Sequence, residues 1–145
     1  MTEVPEIDTK ADPRAAVLDA TALLALGAGN QSLSRMVFAA HHDPERHLFT
    51  PALCLAAATA ERPALAEHLG GLSAIEILDL GFVGASAVGK LIAQGEGWQL
   101  AHAMASAEES LEWPEGLPVV TADSGPYEAR GHQIIPVHSE RRGEE

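Results

Sequence analysis

The chain of 145 residues carries 21 Asp and Glu against 9 Lys and Arg, a formal net charge of −12 at pH 7. That length suits one domain with a real core, and that acidity argues against holding nucleic acid through a broad basic face. Hydrophobic residues make up 46% of the chain but aromatics only 4%, so Ala, Leu and Val must fill the interior. There is no apolar run of roughly eighteen residues that would span a membrane. The single cysteine, Cys54, cannot form an internal disulfide and fits a reducing, cytoplasmic setting.

Residues 1–14, beginning "MTEVPEIDTKADP", lack the charged and apolar regions of a signal peptide and read as a disordered lead-in. Apolar periodicity then alternates in type from 15 to 138, which marks the domain. Residues 15–18 read as a buried strand, followed by helical patterns at about 20–27 and 31–41. "HHDPERH" offers His41, His42, Asp43, Glu45 and His47, but its spacing is irregular. Asp43-Pro44 there reads as a turn after a helix end, where histidines meet the helix dipole favourably. A helix from Pro51 to Ala60 follows, broken by Pro63, and a second one ends at the Gly70-Gly71 pair.

"AIEILDLG" is the next clear strand, with Asp79 at its end as a solvent-facing turn residue before Gly81. "FVGASAVGKLIAQ" and "WQLAHAMASAEE" read as two helices around the Gly95-Glu96-Gly97 turn. "LPVVTAD" and "HQIIPVH" are the last strands, and 139–145 form a charged, solvated tail. Strands separated by helices predict an α/β fold, a mostly parallel sheet covered by helices. Cys54 and His102 lie within apolar helical segments and read as packed interior residues. Trp98 and Trp113 flank a helix and could anchor a core edge or a partner surface. The glycines of "GLSAIEILDLGFVG" lack phosphate-loop spacing.

Two acidic residues carry the functional question. Asp19 stands at the exit of the first strand and Asp123 at the exit of "LPVVTAD". Each alone is explained as a cap or turn residue that accepts backbone N–H groups. Together, in a parallel sheet with right-handed crossovers, they emerge on one edge, where α/β proteins gather their ligands.

With "VLDATALLAL" at the start, "TPALCLAAA" in the second element, "LAHAMASA" on a late helix and "VVTADSGPY" near the end, the chain resembles the PIN-domain family, the metal-dependent ribonucleases that include the toxins of VapBC toxin–antitoxin systems. The resemblance runs from about Ala15 to Val137 and implies a three-layer α/β/α sandwich around a mostly parallel sheet. It also implies Mg²⁺ or Mn²⁺ held by three or four carboxylates, with a metal-activated water attacking a phosphodiester. Asp19 matches the family's first acidic position and Asp123 its last, which makes both the catalytic and metal-ligand candidates. The second and third acids would fall at about Ala57 and Leu100, both apolar here. Glu61, one turn beyond Ala57 on a continuous helix, is the candidate substitute.

Two functions follow. One is a protein-interaction or regulatory module with an impaired metal site, binding an antitoxin-like partner or a second copy of itself as a homodimer and needing no cofactor. The other is a Mg²⁺- or Mn²⁺-dependent endoribonuclease acting on single-stranded RNA through Asp19, Asp123 and a substitute acid. Neither involves a membrane.

Overall fold

Four residues with small or branched side chains, Ala15–Leu18, form β1 and are buried along their whole length. The structure, a computed structural model, describes residues 14–137; all but the last residue of the lead-in 1–14, residue 138 of the domain and the tail 139–145 lie outside the described residues. From β1 the chain runs through α1 (Ala20–Gly27), α2 (Gln31–His42), β2 (His47–Pro51), α3 (Ala52–Glu61), α4 (Leu65–Gly70) and β3 (Ile75–Leu78). It continues through α5 (Phe82–Ala93), α6 (Trp98–Ala107), β4 (Val119–Thr121), α7 (Gly125–Ala129) and β5 (Ile134–Pro136).

The strands form one sheet of order β3-β2-β1-β4-β5, and every neighbouring pair is parallel. Parallel strands need crossover connections, which are right-handed. The connections through α1 to α4 step the chain from β1 outward to β3, whereas α5 and α6 return it across the sheet to β4. The reversal of direction puts the two sets on opposite faces. Consistent with this, α1 packs on β1 and β4 and α2 on β2, while α6 packs on β1, β2 and β4. The result is the expected three-layer α/β/α sandwich around a parallel sheet.

Because both faces are covered, the central strands are apolar without alternation: Val17, Leu18, Leu48, Val119 and Val120 are all buried, joined by Leu23, Leu33 and Met104 from the helices. Cys54 and His102 are buried as expected. Trp113 packs its ring against Phe49 and His47, whereas Trp98 is half exposed. No helix among the described residues is long and apolar enough to cross a membrane.

Two elements differ from the sequence reading. Residues 47–51, expected as the end of a turn and the start of a helix, form β2, which pairs with β1 on one side and β3 on the other. Pro51 is therefore the last strand residue, in extended conformation, and the helix begins after it. The five residues of β2 are too few to show a period, and burial on both sides removes the alternation that betrays a strand. The second difference is α7, a single turn over "GPYEA" between the last two strands, for which the sequence pattern predicts no element. At the other chain boundary, Arg14 already belongs to the folded unit. Its carbonyl accepts from His47 N at 2.7 Å and its guanidinium pairs with Glu45 at 3.1 Å.

Candidate functional site

Asp19 follows β1 directly, and its backbone N–H still donates to Val120 O of β4 at 3.3 Å. It is the N-cap of α1, and Oδ1 accepts from Ala22 N at 3.0 Å. This is the service an N-cap side chain gives to orphan first-turn donors. The carboxylate does more than cap. Oδ1 also accepts from Thr21 Oγ1 at 2.7 Å, and Oδ2 accepts from the Tyr127 hydroxyl at 2.7 Å. Asp19 is 0% exposed, so three protein donors replace the water it has lost.

The surroundings extend this network. Thr21 Oγ1, its proton committed to Asp19, accepts from Ala122 N at 2.8 Å and lies 3.2 Å from Thr121 Oγ1. Helix α6 contributes Gln99, whose Oε1 accepts from Ala20 N at 3.4 Å. Its carbonyl accepts from the Cys54 thiol at 3.3 Å. One residue turn further along α6, His102 Nδ1 accepts from Leu53 N at 3.2 Å. This serves the first turn of α3, which has no side-chain cap of its own. Burial lowers the His102 pKa and so favours the neutral ring that this acceptor role requires. Among the described residues no buried side-chain nitrogen or oxygen lacks a partner.

Asp123 reaches the same sheet edge, two residues past β4, but it is exposed. Its backbone N–H donates to Thr121 Oγ1 at 2.9 Å. Glu61 is the exposed last residue of α3, seven residues beyond Cys54 and therefore about 10 Å further along the helix axis. Ala57 and Leu100 are partly buried and packed against the core. Asp79 is exposed after β3. Among the described residues, no group of three or more His, Cys, Asp or Glu could hold a metal ion. The "HHDPERH" residues are divided between the end of α2, a turn and the start of β2.

Thus the structure brings Asp19 and Asp123 to one edge of the sheet and surrounds Asp19 with Thr21, Tyr127, Cys54 and Gln99. None of these four neighbours carries a site signal in the sequence. Tyr127 is separated from Asp19 by 108 positions, and Gln99 and Cys54 sit in apolar helical runs with no motif of their own.

Two buried acids in this network hold their protons. Burial and then the adjacent Asp19 push the Cys54 thiol well above its ordinary 9.0. The same causes, in the same order, raise the Tyr127 phenol above its ordinary 10.0. In the unfolded chain both groups release protons at those ordinary values, so their contribution to stability is complete below pH 9 and declines as pH rises. Stability should fall by about 1.4 kcal/mol per pH unit above pH 9, and about twice as steeply above pH 10. Urea denaturation from pH 8 upward measures this, and Cys54→Ala should delay the onset by one unit. Tyr127 is the only tyrosine, so tyrosinate absorbance should appear only together with unfolding. Tyrosinate in the native protein near pH 10 would contradict the buried Asp19–Tyr127 bond.

No family model matches this chain, and no curated protein matches it by sequence. Solved structures do. The chain is similar to VapBC2 from Rickettsia felis bound to a DNA fragment from their promoter, with 14% identity and a TM-score of 0.58 over 84% of this chain and 98% of that one. It is also similar to FitAB bound to an IR36 DNA fragment, with 16% identity and a TM-score of 0.54 over 88% and 99% of the two chains. The fold is PIN-like. The likeness spans nearly the full length of each matched chain. At these identities the likeness is one of fold, and function has to be argued from the site itself.

Proposed function

We propose that this PIN-like protein works by binding a protein partner and that its carboxylate edge has lost metal-dependent RNA cleavage. The observation that carries the reading is the state of Asp19: wholly buried, with Oδ1 and Oδ2 both engaged by protein donors. A catalytic Mg²⁺ or Mn²⁺ demands several oxygen ligands and open positions for water and phosphate. At the two further positions where the sequence resemblance implies acids stand Ala57 and Leu100, both packed on the core. Two carboxylates, one buried in a hydrogen-bond network and one in solvent, do not fit that ion. A protein partner is supported by the likeness to VapBC2 and FitAB, and the toxin–antitoxin resemblance points to an antitoxin-like one.

One observation favours the endoribonuclease reading: Asp19 and Asp123 do share the carboxyl edge of adjacent parallel strands. Two measurements decide between them. Millimolar Mg²⁺ or Mn²⁺ should shift the melting temperature by less than about 1 °C, because stabilisation grows only as RT ln(1 + [L]/Kd). Incubation with a single-stranded RNA pool and either ion should leave the RNA intact. Cleavage that vanishes in Asp123→Asn would replace the binding reading with the enzymatic one.

A further inference from the structure

Alternate residues of a strand share one face of its sheet. His47 and Phe49 on β2, with Glu76 and Leu78 on β3, therefore form a patch on one face, with Phe49 in register with Glu76. All four line a cavity of about 300 Å³, closed from the other side by the end of α6 and by Glu112 and Trp113 of the loop after it. The cavity exists because α6 packs on β1, β2 and β4 rather than on the edge strand β3, and ends at Ala107. Its volume is at the lower end of ligand-pocket sizes, enough for one small molecule or one side chain.

Two features set this cavity apart from ordinary acidic surface. Its wall is aromatic. The His47 and Phe49 rings are parallel to within 8° at 6.1 Å, and Trp113 packs 5.9 Å from the first and 6.1 Å from the second. Its rim is anionic and uncompensated. Glu76 and Glu112 are exposed, and among the described residues neither has an ion-pair partner. No lysine or arginine stands between Lys90 and Arg130 in the chain, and Arg14, Arg46 and Arg130 pair with Glu45, Asp43 and Glu96.

Aromatic rings and carboxylates attract the same kind of ligand, a cation with a flat or apolar body. A metal ion does not fit, since among the described residues no three His, Cys, Asp or Glu stand close enough to hold one. Guanidinium does: it is planar and weakly hydrated, stacks on rings and donates in a fork to carboxylates. We infer that the cavity beside Trp113 binds an alkylguanidinium, either a free one or the end of an arginine side chain on a peptide. The inference goes beyond the proposed function and uses none of the residues of the Asp19 edge.

Trp98 and Trp113 are the two tryptophans, and Trp98 is half exposed, so Trp98→Phe leaves Trp113 as the reporter. Argininamide should change its emission with half-saturation at about 0.1–5 mM in roughly 0.15 M NaCl, the range open to a ligand of about twelve non-hydrogen atoms. Calorimetric titration of the unsubstituted chain should give the same value. Citrullinamide, alike in shape but uncharged, should bind at least about tenfold more weakly. Glu76→Gln with Glu112→Gln should weaken argininamide binding to the same degree without changing the melting curve, because both side chains face solvent. Glu109→Gln with Glu115→Gln removes equal charge outside the cavity and should change the affinity less than about twofold.

A blocked Ala-Ala-Arg-Ala-Ala peptide separates the two sources. Binding at least about tenfold tighter than argininamide assigns the site to an arginine on a partner, and anything weaker assigns it to a free guanidinium compound. No saturable response up to about 20 mM argininamide overturns the inference, including one prevented by the chain's own termini filling the cavity. So does equal binding of citrullinamide, or equal loss in the two glutamine pairs. Neither metal nor RNA enters these readouts, so they fail or succeed separately from the proposed function.

Discussion

Asp19→Ala should destabilise the protein by about 3–5 kcal/mol, even in the presence of a chelator. The side chain is wholly buried and accepts from three donors. Its removal strands the Thr21 and Tyr127 hydroxyls and the Ala22 N–H where no water reaches. Loss of an N-cap alone costs about 1 kcal/mol, and each stranded buried donor adds about 1–3 kcal/mol, partly offset by local relaxation.

Asp19→Asn should cost less, about 1–2 kcal/mol, because its amide oxygen can still accept from Ala22 and Thr21. The amide nitrogen then faces Tyr127, whose hydroxyl can turn to accept. Denaturant unfolding in EDTA measures both variants. The sign is diagnostic. A carboxylate kept for metal is a liability in the metal-free protein, and its neutralisation usually stabilises the fold. Unchanged or increased stability in Asp19→Ala would therefore remove the main support for a structural role.

The second large effect is expected from restoring acids. Ala57→Glu with Leu100→Asp should lower stability by about 2–5 kcal/mol without metal, since both positions pack on the core and clustered like charges repel. The positions are well placed. Ala57 lies one turn beyond Cys54 on α3, and Leu100 follows Gln99, whose two oxygens accept from Ala20 and Cys54. With four acids near the edge, Mg²⁺ or Mn²⁺ should bind and return part of the lost stability in the double variant, and little in either single one. Adding Tyr127→Phe frees Oδ2 of Asp19 and should strengthen the ion further. Calorimetric titration reads the binding directly. A double variant that folds and remains indifferent to both ions would show that the missing acids are not what separates this edge from a metal site.

The elements that could be read from the chain are those whose local pattern coincides with their environment. β1 and β4 are short apolar runs ending in Asp, and helices α1, α3, α5 and α6 are long enough to show their period or their Gly and Pro boundaries. β2 could not be read. "HLFTP" has strand character only because β1 and β3 flank it, and the polar run before it signals a turn. The two strand-exit acids were readable for the same local reason, and their convergence follows from parallel order with right-handed crossovers.

By itself, then, the sequence determined the parallel α/β frame and the arrival of Asp19 and Asp123 at one edge, because hydrophobic period and strand-to-helix order are local properties. Only the tertiary structure decided what Asp19 does there. Its donors come from α1 and from Tyr127 on α7, while Gln99 on α6 accepts from the neighbouring Ala20 N–H. Hydrogen bonds between residues a hundred positions apart leave no periodic trace in a chain. Likewise, the apolar letters of α5 are the same whether the helix is enclosed or open; among the described residues it packs chiefly on α6, and Phe82, Val83 and Ile92 are exposed.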